Sequence, residues 1–204
     1  MITREKLIKC ISNCKNAGDI VRESKHYVRA AILIMFSIGA SNNQNKIIMI
    51  RRKQNLRKHG GQIAFPGGRY ETYDKNLSDT ALRETYEEIN LTENYIEVLG
   101  SLPNFYTGTG YNVIPFIATL NKRKDWEKRM KPNPEEVETI LICNAYELLN
   151  PKKHIRIKAP FDSKMFMTWK IDYKSENIWG LTARVLVTIS AGLNLRDYPP
   201  CDDI

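Results

Sequence analysis

Hydrophobic and polar residues follow different periods along the chain, and the period changes from one segment to the next. Runs rich in Val, Ile, Tyr and Phe that lack a helical period predict β-strands. We expect seven strands, at residues 27–38, 46–51, 62–65, 96–102, 112–120, 138–143 and 166–171. The longest apolar run, residues 30–40, is shorter than the ~20 residues that span a bilayer, so we interpret it as a buried strand.

Apolar residues that recur every three or four positions predict helices between these strands. The helices are expected at residues 2–16, 77–89, 144–150 and 177–193. Strands interspersed with a few helices are typical of an α/β fold, in which helices pack on a mixed sheet. The chain has 204 residues, which favours one domain.

The helix at 77–89 has the strongest pattern in the chain. Ser78 or Asp79 would serve as its N-cap, and Asn90 just beyond its end suits a left-handed C-cap. Its apolar positions fall on one side, which we expect to pack against the sheet; they are Leu82, Tyr86 and Ile89.

Three glutamates project from the opposite side of this helix. Glu84, Glu87 and Glu88 lie within an arc of about 100°. Like charges at this spacing repel by roughly 0.2–0.5 kcal/mol per pair, so a cation between them is expected. Hard carboxylate oxygens suit Mg²⁺ or Mn²⁺, and the alternative is a solvated acidic face. Arg83, one turn before Glu87, is placed to pair with it.

A glycine pair stands just before this helix. The segment 66–68, Pro-Gly-Gly, is expected to interrupt regular structure. Because glycine has no Cβ, Gly67 and Gly68 allow the backbone to approach a ligand closely.

The net charge and the cysteines indicate which partners and which cellular compartment to expect. The net charge of +8 favours anionic partners: nucleic acid, a membrane surface or a phosphorylated small molecule. The four cysteines contain no CxxC pair and have no clustered histidines, although Cys10 and Cys14 are placed to share one side of a helix. Together with the lack of a basic-then-apolar leader, this indicates reduced thiols in a cytoplasmic protein.

The segment "FPGGRYETYDKNLSDTALRETYEEINL" resembles the sequence box of the Nudix hydrolases. The matching positions are Gly68, Arg83, Glu84, Glu87, Glu88 and Leu91. Asp74 stands where the family has an early Glu, and the spacer after it is one residue longer. Thr85 and Asn90 are the other departures.

The resemblance implies the Nudix fold, an α/β/α sandwich with a mixed β-sheet, in a single domain over residues 1–204. Residues 1–25 would form a helical extension, and the box would occupy 68–91. The implied metal ligands are Glu84, Glu88, Glu87 and the Gly68 carbonyl, with Arg83 positioning a glutamate. Because the general base varies in this family, a glutamate of the box such as Glu87 and two later glutamates, Glu135 and Glu136, all stay open. The later pair would alternatively serve capping or solubility.

The segment upstream, "IIMIRRKQNLRKHGGQIAFPGG", resembles the motif of the coenzyme A diphosphatase branch. Arg52, Arg57, Gly61 and residues 65–68 match at the required spacing, while Ile50 and Lys53 depart from it. The implied reaction cleaves coenzyme A to 3′,5′-ADP and 4′-phosphopantetheine.

Substrate contacts are expected from cations and glycines near this motif and from one aromatic residue. They are Arg52, Arg57, Lys53, His59, Gly67, Gly68 and Tyr111. Arg gives bidentate phosphate contacts, whereas Lys acts as a point charge. The alternative for the basic run is a solvated loop or an RNA-binding patch. The alternative for His59 is a side chain that stabilises a turn, and the alternative for Tyr111 is packing in the core.

Two alternatives for function stay open. The first is a Nudix hydrolase of another diphosphate, such as a dinucleotide, a nucleotide sugar or capped RNA. The second is a non-catalytic nucleotide- or RNA-binding module on the same fold. The retained glutamates favour an enzyme with a small-molecule diphosphate substrate over nucleic acid, and no membrane partner is expected.

Overall fold

Two β-sheets and five helices form the part of the fold described by the computed structural model, which covers residues 1–16, 27–56, 59–121, 125–161 and 164–197. The helices are α1 (Arg4–Asn13), α2 (Leu77–Ile89), α3 (Trp126–Arg129), α4 (Ala145–Leu148) and α5 (Gly180–Gly192). The strands are β1 (Val28–Ser37), β2 (Lys46–Arg52), β3 (Ile63–Ala64), β4 (Gly67–Arg69), β5 (Ile96–Ser101), β6 (Phe105–Tyr106), β7 (Tyr111–Leu120), β8 (Val137–Asn144), β9 (His154–Phe161), β10 (Lys164–Tyr173) and β11 (Glu176–Trp179). None of the helices in these residues is long and apolar enough to cross a membrane.

The larger sheet has eight strands in mixed orientation. Its main order is β3-β2-β1-β7-β5, with β4 paired to β1, β6 to β7 and β8 to β2. β1 and β7 run parallel, and the other pairs are antiparallel. The predicted mixed sheet is therefore confirmed.

Helices cover both faces of this sheet. α2 packs on the face that presents Leu33 and Ile48. On the other face, Ile34 and Ile117 join a core cluster with α1, α5 and the smaller sheet β11-β10-β9. α5 is buried throughout residues 182–192, because the larger sheet, α1 and β10 all contribute to the core around it. The α/β class is confirmed, and the smaller sheet is a further layer that the sequence did not predict.

The seven predicted strands are all present within a few residues of their expected ends, but several elements were missed or wrong. The missed strands are β4, β6, β9 and β11, and the missed helix is α3. Residues 66–68 do not simply interrupt regular structure, because Gly67 and Gly68 pair with β1. Residues 177–179, predicted as helix, complete β11 instead.

The bounds of α2 and its C-cap are confirmed. Asn90 adopts the left-handed conformation with φ 57°. The N-cap prediction is wrong, because Asn76 caps the helix. Its side-chain oxygen accepts hydrogen bonds from the amides of Ser78 and Asp79 at 2.8 and 3.1 Å.

The predicted facing of α2 is confirmed for Leu82 and Ile89, which pack on the core, and wrong for Tyr86 and Glu88. Tyr86 is 51% exposed, whereas Glu88 is 1% exposed. The side that packs on the sheet carries Ala81, Thr85 and Ile89, all fully buried. Small residues here let the helix approach the sheet, and the Thr85 hydroxyl donates to the Ala81 carbonyl at 2.7 Å. The three glutamates therefore do not share one outward face, because Glu88 points inward.

The N-terminal helix is shorter than residues 2–16, ending at Asn13 before a 3₁₀ turn. Cys10 and Cys14 do share one side of it, with their sulfurs 4.0 Å apart against α5. Cys10, Cys14 and Cys143 are buried and form no disulfide, and Cys201 lies outside the described residues.

Candidate active site

The glycine pair on β4 lies directly against the carboxylates of α2. The Gly67 amide donates to Glu88 Oε2 at 3.0 Å. A Cβ on Gly68 would lie 2.5 Å from the Glu84 carboxylate, and one on Gly67 would overlap the Ala31 carbonyl. A side chain at position 67 would therefore collide with the backbone of β1, and one at position 68 would displace the Glu84 carboxylate, so the glycines allow the helix carboxylates to reach the sheet backbone.

Arg83 links three carboxylates at one end of this cluster. Its Nη1 donates to Glu84 Oε1 and to Glu87 Oε2, both at 2.9 Å. Its Nε and Nη2 donate to the two oxygens of Asp74, at 2.8 and 3.1 Å. The expected pairing of Arg83 with Glu87 is present, and the anchoring by Asp74 was not predicted.

Asp74 is held in its charged form. Besides Arg83, it accepts hydrogen bonds from the Glu71 amide at 2.9 Å and the Thr80 hydroxyl at 2.8 Å. The Arg83 hydrogen bond is the main cause that lowers the pKa of Asp74 to about 2, although burial opposes it. Asp74 therefore fixes Arg83 with respect to the helix.

Glu88 is the most buried carboxylate of the cluster. Its Oε1 accepts from Arg52 Nη1 at 3.0 Å. Burial raises the pKa of Glu88 to about 8, the Gly67 amide and Arg52 lower it in part, and repulsion from Glu84 and Glu136 raises it further. Burial also raises the pKa of Glu84. Arg83 lowers this pKa in part, and repulsion from Glu136 raises it further. Glu136 therefore lies close enough to act electrostatically on both carboxylates.

Of the two later glutamates, the structure brings Glu136 to the cluster and not Glu135. The Glu136 carbonyl accepts from the Lys53 amide at 2.9 Å, which joins the loop before β8 to the end of β2. Glu135 is exposed, and its amide donates to Asn133 Oδ1 at 3.0 Å. Glu135 therefore belongs to a turn in which the side chain of Asn133 is the acceptor.

The donor set suits a hard dication. The ion pairs of the cluster join four carboxylates to two guanidinium groups, so the cluster has an excess of two negative charges when all four carboxylates are ionised. Carboxylate and carbonyl oxygens are the ligands of Mg²⁺ and Mn²⁺. Among the described residues, no three His, Cys, Asp or Glu side chains converge on one point as they stand. Arg52 and Arg83 instead hold Glu88 and Glu84, so these residues fit a dication once the arginine contacts are exchanged for it.

Comparison with known proteins decides the family. The model of the NUDIX domain matches residues 31–165, which is more than half of the chain. The chain belongs to the Nudix hydrolase family. The Nudix hydrolase NudL of Yersinia enterocolitica is 30% identical over 152 residues, covering 73% of this chain and 74% of that protein. NudL of Yersinia pestis is also 30% identical, over 82% of this chain and 83% of its own.

Solved structures agree on the Nudix fold. A MutT/nudix family protein from Enterococcus faecalis has a TM-score of 0.51 at 16% identity, covering 83% of this chain and 63% of that one. A Deinococcus radiodurans protein has a TM-score of 0.51 at 14% identity, covering 82% and 88%. At these identities the likeness concerns the fold alone.

The other residues predicted to bind substrate in this Nudix hydrolase lie in different settings. Lys53 is half-buried at the end of β2. His59 is exposed with φ 59°, and its Nδ1 lies 3.1 Å from Gln62 Oε1, consistent with the turn alternative. Tyr111 begins β7, where its amide donates to the Thr107 hydroxyl at 3.0 Å. Arg57 lies outside the described residues.

Two arginine contacts near the Nudix site were not predicted. Arg51 points to the face opposite Arg52, where its Nη2 lies 2.7 Å from both oxygens of Glu176. Arg29 stacks over the Tyr70 ring at 4.6 Å, beside the strand that carries Gly68. The alternation of side chains along β2 could have separated Arg51 from Arg52, but no local pattern names their partners.

Proposed function

We propose that this Nudix hydrolase is metal-dependent and cleaves the diphosphate of coenzyme A or its derivatives, giving 3′,5′-ADP and 4′-phosphopantetheine. The observation that carries the reaction type is the cluster of Glu84, Glu87 and Glu88 with its excess negative charge beside Gly68. The substrate class is supported by the upstream motif, in which Arg52 lies at this same cluster.

Each residue of the cluster has a proposed role. Glu84, Glu88, Glu87 and the Gly68 carbonyl hold Mg²⁺ or Mn²⁺. When bound, such ions neutralise a diphosphate and lower the pKa of attacking water. Arg83, anchored by Asp74, orients Glu84 and Glu87 through its two contacts of 2.9 Å.

Glu136 is the proposed general base. Its carboxylate lies at the same cluster but outside the arginine ion pairs described for Glu84, Glu87 and Glu88. A carboxylate in this place can accept the proton of the attacking water while the helix glutamates stay with the metal.

The residues proposed to recognise the substrate are the cations at the end of β2 and just beyond it, and the glycine pair of β4. Arg52 and Arg57 supply the guanidinium geometry that matches phosphate, and Lys53 adds a point charge. Gly67 and Gly68 are proposed to contact the diphosphate through their backbone, since neither carries a side chain. His59 is proposed to act as a further point donor to phosphate, and Tyr111 to contact the adenine or the pantetheine arm.

The test is product identification by mass spectrometry after incubation with coenzyme A and Mg²⁺ or Mn²⁺ in ¹⁸O water. We expect 3′,5′-ADP and 4′-phosphopantetheine, with ¹⁸O in one phosphate. A parallel panel of a dinucleotide, a nucleotide sugar and capped RNA tests the alternatives. Intact coenzyme A alongside cleavage of another diphosphate would refute the substrate, and no cleavage in any arm would refute the reaction type.

A matched pair of variants assigns that activity to the cluster. Glu88→Gln keeps the shape of a buried side chain and removes its charge, so we expect turnover to fall by roughly a hundredfold or more. Glu135→Gln makes the same change on an exposed neighbour of Glu136 and should leave turnover unchanged. Equal turnover in the two variants would contradict the assignment.

A further inference from the structure

Both oxygens of Glu88 are already occupied by donors of the protein itself. Oε2 accepts from the Gly67 amide at 3.0 Å, and Oε1 accepts from Arg52 Nη1 at 3.0 Å. The side chain is 1% exposed, so water cannot readily take the place of either donor. For Glu88 to ligate a dication, one of these two contacts must be released or shared.

The contact with Gly67 is the fixed one. Gly67 pairs with Ile32 in the sheet, and even an added Cβ on Gly67 would overlap the backbone of β1. Its amide can therefore withdraw from Glu88 only if β4 shifts with respect to β1. Oε2 stays bound to the backbone, which leaves Oε1 as the oxygen that can change its partner.

The contact with Arg52 is the releasable one. Arg52 is the last residue of β2, and its side chain is 24% exposed, so the guanidinium lies at the boundary between the cluster and solvent. A long side chain anchored at a strand end can swing outward by rotating its own bonds, with no movement of the sheet. After such a rotation the guanidinium remains within reach of a ligand held at the cluster.

We propose that Arg52 occupies the position beside Glu88 Oε1 that a dication takes when it binds. Binding of the dication then releases the Arg52 guanidinium, which binds the diphosphate; we call this exchange the handover. This deepens the proposed function and rests on it. In the absence of metal, Arg52 balances the charge of a buried carboxylate, whose uncompensated burial is costly. With metal bound, the same guanidinium is released for bidentate contact with phosphate oxygens.

The exchange links metal binding to substrate binding. Because the dication frees the guanidinium and the guanidinium then binds phosphate, each ligand should raise the affinity of the other. Arg52 also acts as an internal competitor for the metal. Removing it should therefore tighten metal binding and weaken diphosphate binding, a pair of opposite effects that a purely structural role would not give.

Arg51 provides the matched control. It is the adjacent residue with the same charge, but it faces the other side of the sheet and pairs with Glu176. Loss of either arginine changes the general electrostatic field of this region by one charge. Of these two arginines, Arg52 contacts the cluster and Arg51 does not. The difference in affinity between the two variants therefore separates the handover from long-range electrostatic attraction.

The first measurement is the affinity for Mn²⁺ without substrate, read from the electron paramagnetic resonance of free Mn²⁺. We expect Arg52→Gln to bind Mn²⁺ about fivefold to tenfold more tightly than Arg51→Gln, a coupling of ordinary size. Affinities that are equal in the two variants, or weaker in Arg52→Gln, would overturn the proposal.

The second measurement is the affinity for methylenediphosphonate, a diphosphate analogue that cannot be hydrolysed, with and without saturating Mn²⁺. In the wild type, Mn²⁺ should strengthen binding, and Arg52→Gln should lose about tenfold of the affinity measured with Mn²⁺. Arg51→Gln should behave as the wild type. An equal loss in the two variants would contradict the handover.

A measurement on the unaltered protein covers the case in which Arg52→Gln does not fold. In ¹⁵N-labelled wild type, Mg²⁺ saturation should shift the side-chain Nε–H signal of Arg52 and leave that of Arg51 in place. An unmoved Arg52 signal with Mg²⁺ bound would refute the release. Neither this experiment nor the two binding measurements uses coenzyme A, so the handover can fail while coenzyme A is still hydrolysed, and the reverse.

Discussion

Asp74→Asn should weaken the fold by removing the charge that anchors Arg83. The Asp74 side chain is 3% exposed and accepts four hydrogen bonds: two from Arg83, one from the Glu71 amide and one from the Thr80 hydroxyl. Asparagine keeps one acceptor oxygen, but its amide group would turn hydrogens toward donors that already face this site.

The magnitude follows from the pKa of Asp74. The native pKa is lowered from 3.8 to about 2, chiefly by the Arg83 hydrogen bond. This gap corresponds to roughly 2.5 kcal/mol in favour of the charged native form. Because the native pKa is the lower one, this stability is present above about pH 4 and is lost as the pH falls toward 2.

The assay is urea unfolding at several pH values, with Asp172→Asn on exposed Asp172 as the control. At about pH 7, Asp74→Asn should lower the free energy of unfolding by roughly 2–3 kcal/mol, and the control by less than about 0.5 kcal/mol. The difference between Asp74→Asn and wild type should shrink below about pH 4. A loss below about 1 kcal/mol near neutrality, or one independent of pH down to 2, would refute the reasoning.

Three further changes test the packing and the charges at other sites. Gly68→Ala places a Cβ 2.5 Å from the Glu84 carboxylate, so turnover should fall by about a hundredfold while circular dichroism stays unchanged; full activity would contradict the close approach. Burial lowers the pKa of His154, so wild-type stability should decrease as the pH falls below about 6.5, and in urea titrations His154→Gln should lack this decrease. Gly192→Ala would overlap the Cys14 sulfur and should lower the free energy of unfolding by about 1–3 kcal/mol, with an unchanged urea midpoint speaking against that packing.

Local signals were sufficient for the elements that depend on local interactions. The bounds of α2 and the left-handed Asn90 follow from helical period and C-cap chemistry, which involve residues close in sequence. The N-cap was missed because Asn76, Ser78 and Asp79 are all good capping residues, and only the geometry of the preceding turn selects Asn76.

The missed strands β9 and β4 differ in the signal that the sequence carries. β9 alternates Ile155, Ile157 and Ala159 with Arg156 and Lys158, a period of two that would have predicted a strand, and it pairs with β10 over its full length. β4 contains a glycine pair that predicts a turn on its own, and it is a strand only because β1 offers a backbone to pair with.

The sequence predicted which residues form the candidate site, but it did not predict how their side chains are oriented and paired. The spacing in the sequence predicted that Glu84, Glu87 and Glu88 lie close together. It also predicted an outward Glu88, because a carboxylate is expected on the solvent side of a helix. The pairing of β4 with β1 and the contact with Arg52 make an inward Glu88 tolerable. Such compensation arises from elements distant in sequence, so no local pattern could have indicated it.

The central claim is that the glutamate cluster holds a dication, and Mn²⁺ binding to Glu88→Gln tests it most directly. Electron paramagnetic resonance would give the Mn²⁺ affinity of the wild type, Glu88→Gln and the control Glu135→Gln under the same conditions. The account predicts that Glu88→Gln loses at least about tenfold in affinity and that Glu135→Gln matches the wild type. Mn²⁺ affinity in folded Glu88→Gln equal to that of the wild type would contradict it.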